Sequence, residues 1–403
     1  MHPLISLLLA DDEIARPGVI DFRPAALYRQ RHIRASLHIE GPNGLRHRFS
    51  WLPPPVCGNG SGNSNGSKGK PLIVLCQAGD ELELRTLLER WNVIDVIVEG
   101  HDDEDFWSSA TAGQARNLVV ESHHHHDDTN DDVPALLFKP SPLIEAALQA
   151  VEAGKEQECC SSSALAAAAA ATATVLDLGC GAGRDLAWIV RREKEEKNSG
   201  NNVRWLATGI DNLLAAVERA RLLRDNYKLN KEIKSSSSAC FSSYIECLLW
   251  AQASTDTGSL QALHLSPTSK SRGITEKSNG HSTTSLSDFA AVHLPHLTYD
   301  LILFIRFLPL PLLQNITQLT HNKSIIAISH FTTLDVSSNE PDYPSPDRSK
   351  RFEETHINML LEAWGPVWQV VLHTIHRSED GRPLRSVLFQ RSRVVRHRHP
   401  KGI

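Results

Sequence analysis

With 403 residues, 41% of them hydrophobic, the chain is long enough for two domains, each with its own core. A formal net charge of −5 argues against a nucleic-acid binder driven by bulk positive charge. The seven cysteines, odd in number and without framework spacing, argue against a disulfide-stapled scaffold, and no stretch reaches the roughly 18 apolar residues of a membrane helix.

The opening apolar run, residues 3–10, is short, lacks a basic flank and runs into Asp11, Asp12 and Glu13, so no signal peptide is expected and a cytoplasmic protein is. Apolar runs at 19–22 and 72–76 end in turns and predict buried strands. Residues 81–91 place Leu84, Leu87 and Leu88 on one helical face, and 93–98 predicts another strand. The Gly/Ser/Asn stretch 58–69 predicts a surface loop, and 121–133, with histidines from 123 to 126 followed by acids, predicts a linker. No metal is expected on those histidines, because a solvated low-complexity tract lacks the supporting hydrogen bonds of a metal site. A Ser/Ala-rich tract covers 154–174, and its Cys159 and Cys160 have no nearby Cys-x-x-Cys partner that would make a zinc site.

Beyond it, predicted strands at 174–178 and 203–210 alternate with helices at 184–192 and 212–229, and further strands follow at 301–305 and 324–329. Such alternation implies a parallel sheet with helices on both faces. A low-complexity insertion is expected over 234–287, with 241–251 as a short helix inside it. Near the end, 368–375 and 384–390 flank Glu379, Asp380 and Gly381, a hairpin signal, and 393–403 is a basic, solvated tail.

The strongest local signal is the apolar strand ending Asp177-Leu178, followed by Gly179, Gly181 and Gly183 at alternate positions. Glycines there admit a close backbone approach, and the helix beginning near Arg184 turns its free N–H groups to the same crevice. The spacing differs from the G-x-G-x-x-G of dinucleotide binders and lacks the Gly-Lys-Ser/Thr of a P-loop. This strand and loop resemble motif I of S-adenosylmethionine-dependent methyltransferases, with Asp177 as its acidic residue. A second strand, 206–211, ends in Asp211, which in such a family accepts hydrogen bonds from the ribose hydroxyls; a helix N-cap is the alternative, and both can hold. The resemblance thus implies S-adenosylmethionine as cofactor, bound by Asp177, Gly179, Gly181, Gly183, Asp211 and Asn212. Residues 299–307 look like the fourth strand of this family, with Asp300 at its start, while no acid of the third strand is identifiable. Arg306 and His330 then fall at the sheet edge where α/β folds place substrates. Arg306 could hold an anionic acceptor and His330 could serve as base for a protonated one; a sheet-edge salt bridge and a solvated histidine are the structural alternatives.

In the first half, Asp21-Phe22-Arg23 after a strand, then His32-Ile33-Arg34-Ala35-Ser36, and then the strand ending at Cys76, resemble the rhodanese pattern over roughly the first 110 residues. A persulfide-forming cysteine must be a thiolate. Here Asp80 and Glu81 follow where rhodaneses tend to carry cations or hydroxyls, and nearby negative charge raises a thiol pKa. The phosphatase alternative needs an arginine six residues after the cysteine, where Leu82 stands. A degenerate domain with Cys76 as a small buried hydrophobe is expected. The whole chain resembles proteins that join a rhodanese-like domain to a methyltransferase of the tellurite-resistance type, on Lys139-Pro140-Ser141-Pro142, the 299–307 strand and Asp380-Gly381-Arg382-Pro383. It departs at Pro309-Leu310-Pro311-Leu312, where His-Arg-Pro-Leu is usual, and after the fifth strand, where Glu-Thr-Phe is usual.

The expected architecture is therefore α/β: a rhodanese-like α/β domain over 1–120, a linker over 121–133, and a Rossmann-like methyltransferase domain over 134–392 closed by an antiparallel hairpin. The expected function is methyl transfer to a small-molecule acceptor. A sulfurtransferase using Cys76, or a non-catalytic regulatory protein retaining both folds, are the rivals.

Overall fold

A computed structural model describes residues 2–10, 16–56, 69–100, 103–121, 133–160, 172–195, 203–230, 243–253, 259–263, 285–333, 345–378 and 381–392. The stretch 58–68, the histidines from 123 to 126 and the basic tail lie outside the described residues. The chain divides into two compact units, Met1–Lys139 with Asn226–Lys228, and Pro140–Asp225 with Leu229–Ile403.

The first unit runs α1 (Pro3–Leu8), β1 (Gly18–Asp21), α2 (Ala25–Gln30), β2 (Arg31–Ile33), β3 (Leu37–His38), α3 (Gly41–Arg46), β4 (Leu72–Gln77), α4 (Glu81–Leu87), β5 (Val93–Glu99), α5 (Asp103–Thr111) and β6 (Val119–Glu121). Its main sheet has the order β3-β1-β4-β5, all parallel. The apolar opening run is α1, whose Leu4, Ile5 and Leu8 are buried with Val19, Ile73, Phe106 and Trp107. α4 stops at Leu87, short of the predicted 91, with Leu84 and Leu88 buried. The Asp21-x-Arg23 pattern forms a buried ion pair: Arg23 is 2% exposed, bridges Asp21 at 2.7 Å and Glu99 at 2.8 Å, and lies 5.0 Å over the Trp107 ring. Two carboxylates and an aromatic face replace the water that a guanidinium loses on burial.

The second unit runs α6 (Pro142–Cys160), β7 (Thr172–Leu178), α7 (Arg184–Glu195), β8 (Arg204–Asp211), α8 (Leu214–Asn226), β9 (Tyr244–Ala253), β10 (Leu260–Ala262), α9 (Leu286–His293), β11 (Tyr299–Ile305), α10 (Leu310–Asn315), β12 (Thr320–Phe331), α11 (Glu354–Trp364), β13 (Trp368–Arg377) and β14 (Pro383–Arg391). The sheet order is β10-β9-β8-β7-β11-β12-β14-β13. Strands β9, β8, β7, β11 and β12 are mutually parallel, while β14, β13 and β10 pair antiparallel with their neighbours. This is a mixed sheet in an α/β unit, with five parallel strands at its centre. β8 and β11 are buried along almost their whole length, as strands covered on both faces must be. One face carries a core of Leu176, Ile302, Phe304, Ile328, Leu360 and Phe389.

Two expectations fail here. The helix predicted over 241–251 is the strand β9, and the segment 234–287 contains β9, β10 and the N-cap Ser285 of α9 rather than only an insertion. A short, nearly continuous apolar run fits a buried strand or a buried helix equally by periodicity, and here pairing with β8 decides it. α6 extends to Cys160, into the Ser/Ala-rich tract read over 154–174. Among the described residues no helix is long and apolar enough to cross a membrane.

Candidate functional site

The loop after β7 holds three glycines at positive φ: Gly179 at 82°, Gly181 at 56° and Gly183 at 74°. Each serves a different contact. A Cβ on Gly179 would lie 2.6 Å from the Cβ of Phe307, and one on Gly183 would lie 3.0 Å from the Cβ of Ala220 in α8. A Cβ on Gly181 would meet nothing within 4 Å. The sequence suggested that all three open the backbone to a ligand; two of them instead admit neighbouring side chains, and Gly181 alone faces open space. The Gly179 and Cys180 N–H groups both donate to the Ile210 carbonyl, at 2.8 and 3.0 Å, and so tie the loop to β8.

Asp211, at the end of β8, is buried and accepts from the Gly181 N–H and the Leu213 N–H, each at 2.8 Å. It thus joins the glycine loop to the turn before α8. Because α8 begins at Leu214 and its first N–H groups turn to the Leu213 carbonyl, Asp211 makes a turn bond and is not the helix N-cap that the sequence offered as the alternative. A carboxylate offers about four acceptor positions, so two hydrogen bonds leave capacity for hydroxyl donors. Asp177 is buried in β7, its Oδ1 has no hydrogen-bond partner, and its carboxyl is pushed well above the usual range by burial, then by Asp185 and Asp211. Such a group is protonated, or waits for a donor that offsets its desolvation.

Asn212 is exposed, and its carbonyl accepts from the Trp250 indole N–H at 3.1 Å. Trp250 pairs in register with Asp211 from β9 and was missed in the sequence, because its strand was read as a helix. The usable signal was the Tyr, Ile, Leu and Trp content of the 244–250 run between Ser-rich stretches.

On the other side of β7, β11 and β12 end side by side, with Ile305 paired to Ser329. Arg306 follows at φ 58°, is exposed, and donates its N–H to the Ser329 carbonyl at 2.7 Å. His330 is buried in β12, and burial lowers its pKa to about 4, so the ring is neutral at pH 7. It is not the solvated histidine of the structural alternative. As a base it is weak, since an efficient general base has a pKa near the working pH. The structure brings Arg306 and His330 to the same sheet edge, where Arg385 of β14 is the register partner of His330. Arg385 was not singled out in the sequence. It is buried, donates to Glu354 and to Thr332 at 3.3 Å, and lies 2.8 Å from the His373 Nε2.

Cys76 lies inside β4, in register with Val98, and is fully buried. Its thiol is pushed up to about 12, first by burial and then by Glu81 and Asp80, with Arg85 opposing. The acids act in the direction expected, but burial is the larger cause. Among the described residues no group of three or more His, Cys, Asp or Glu side chains is arranged to hold a metal ion.

No family model matches the chain. An uncharacterized protein of Schizosaccharomyces pombe is 26% identical over 381 residues, covering 92% of this chain and 93% of that protein. A SAM-dependent methyltransferase from Aquifex aeolicus is similar at 15% identity, over 63% of this chain and 98% of that one, with a TM-score of 0.30. Magnesium protoporphyrin IX methyltransferase from Synechocystis, solved with bound SAH, is similar at 11% identity over 63% and 89%, with a TM-score of 0.29. TehB from Haemophilus influenzae is similar at 15% identity over 55% and 58%, with a TM-score of 0.30.

Proposed function

We propose that the second unit is an S-adenosylmethionine-dependent methyltransferase acting on a small-molecule acceptor, in a cytoplasmic protein whose first unit is a rhodanese-like module without sulfurtransferase activity. The observation that carries this reading is the hydrogen bond from the Gly181 N–H to Asp211. It sets an acid with spare acceptor capacity beside the one loop glycine that faces open space, at the carboxyl edge of a parallel sheet. The chain runs outward from β7 through β8 to β9 and then returns to the other side of β7 as β11, which makes the end of β7 a topological switch point, where such sheets bind ligands.

The residues fit the cofactor. Gly181 leaves room that a side chain would fill, Asp211 can accept from ribose hydroxyls, and the buried Asp177 Oδ1, two residues before Gly179, has no hydrogen-bond partner. Asn212 and Trp250 border Asp211 and would flank the nucleoside. When bound, the cofactor supplies an electrophilic methyl group. The protein's task is orientation, because transfer needs the nucleophile in line with that methyl, and positioning of this kind accounts for much of the acceleration. Arg306 would hold an anionic acceptor at the neighbouring strand end. An already ionised acceptor needs no base, which suits the weak basicity of His330. Burial of Cys76 inside β4 supports the degenerate reading of the first unit, since a sulfur-carrying thiolate must be reachable.

Calorimetric titration of the full chain with S-adenosylmethionine, followed by transfer of labelled methyl into a small-molecule extract, tests the proposal. Absence of binding would overturn the methyltransferase reading. Binding without transfer into any extract fraction would favour the non-catalytic regulatory rival.

A further inference from the structure

Phe307 occupies a place that neither the glycine pattern nor the strand pattern assigns. The left-handed turn at Arg306 carries the chain off β11 and back over the loop after β7. There the Cβ, Cγ and Cδ1 of Phe307 lie 2.6, 2.7 and 3.0 Å from where a Cβ on Gly179 would stand. The ring is half-buried and also packs against the core that lies under β11 and β12. Strand order decides on which side of the glycine loop it stands. Asp211 lies on the β8 side of β7, and β11 lies on the other side. A nucleoside whose ribose is held by Asp211 and whose 5′ substituent crosses the glycine loop would bring that substituent toward β11, where Phe307 follows the strand. In the cofactor of the reading above, that substituent carries the sulfonium.

We infer that Phe307 is a positioning residue that presents its aromatic face to the sulfonium of S-adenosylmethionine; this rests on the cofactor reading. The negative face of an aromatic ring attracts a cation and is indifferent to a neutral thioether of nearly the same shape.

The test compares affinities of the full chain for S-adenosylmethionine and for S-adenosylhomocysteine, which lacks the charge, by calorimetry. Phe307→Leu and Phe307→Met keep apolar volume against the core but remove the ring, and Phe307→Tyr keeps the ring. The expected result is that the ring-less variants lose affinity for the sulfonium roughly three- to thirtyfold more than for the thioether, while Phe307→Tyr keeps the wild-type ratio. An unchanged ratio in Phe307→Leu and Phe307→Met, whether both affinities hold or fall together, would overturn this inference and leave the cofactor reading standing. Wild-type protein that binds neither compound would overturn the cofactor reading and the inference with it.

Discussion

Because both oxygens of Asp211 accept backbone N–H groups, from Gly181 and Leu213, an amide in its place can satisfy only one of them. Asp211→Asn is therefore not a conservative change. It is expected to lower stability by about 1–2 kcal/mol, the cost of an unmade bond to a partly buried group, and to weaken S-adenosylmethionine binding as the Gly181 loop loosens. Urea unfolding and calorimetry check the two effects separately, and a variant unchanged in both would show the carboxylate to be idle. At the opposite edge of the sheet Asp300 receives Lys155 at 2.7 Å, His321 at 3.1 Å and the Thr174 N–H at 2.8 Å. Burial works to raise its pKa, but the hydrogen bonds from His321 and Lys155 outweigh that and hold it well below the usual range. His321 is raised by its hydrogen bond to Asp300. The depressed carboxyl contributes stability that is complete above its unfolded pKa of about 3.9 and is lost as pH falls through the folded value. The raised imidazole contributes below its unfolded pKa of about 6.5, and that part is lost as pH rises through the folded value. The network is thus strongest between about pH 4 and 6.5. Asp300→Asn should cost on the order of 3 kcal/mol, by leaving a partly buried lysine unpaired, and should remove the decline in the urea midpoint that His321 causes above that window.

Among the elements, β8 is hemmed in from three directions. Gly209 stands within it, and a Cβ there would lie 2.8 Å from Leu186 Cδ1, 2.9 Å from Cys180 Sγ and 2.9 Å from Leu248 Cδ2. These atoms belong to the helix after the glycine loop, to the loop itself and to the neighbouring strand, so a methyl group would push on all three at once. Gly209→Ala should destabilise by about 1–3 kcal/mol, the usual cost of overpacking, seen as a lowered thermal midpoint. A midpoint equal to wild type would mean that the three layers yield more easily than this packing implies. α8 starts at Leu214, two residues later than its apolar pattern suggests, because Asp211 and Leu213 are spent in the turn that ties the strand to the glycine loop.

For the whole molecule, every cofactor residue proposed lies in the second unit, and Cys76 lies in the first. S-adenosylmethionine at about 100 times its Kd should stabilise the binding unit by about 2.7 kcal/mol through mass action alone. Alkylation of Cys76 by iodoacetamide, followed by mass spectrometry across a urea titration, reports the first unit independently. In native protein the buried thiol should stay unmodified at pH 8, and the ligand should shift the calorimetric transition of the second unit. A fast native reaction at Cys76 would contradict its burial and reopen the sulfurtransferase reading.

What the sequence alone determined was local. The apolar run ending at Leu178, the alternate glycines and the acid closing the next strand are legible because burial on both faces and positive φ leave marks on neighbouring positions. The buried place of Cys76 in a small strand was legible for the same reason. Tertiary structure decided what depends on partners far along the chain. It made 244–253 a strand by pairing it with β8, gave Gly179 to Phe307 and Gly183 to Ala220, and brought Trp250 beside Asp211 and Arg385 beside His330. Periodicity records that a residue is buried, but the neighbour that buries it is chosen by sheet order. That order follows from packing whole faces together, and no window of a dozen residues contains it.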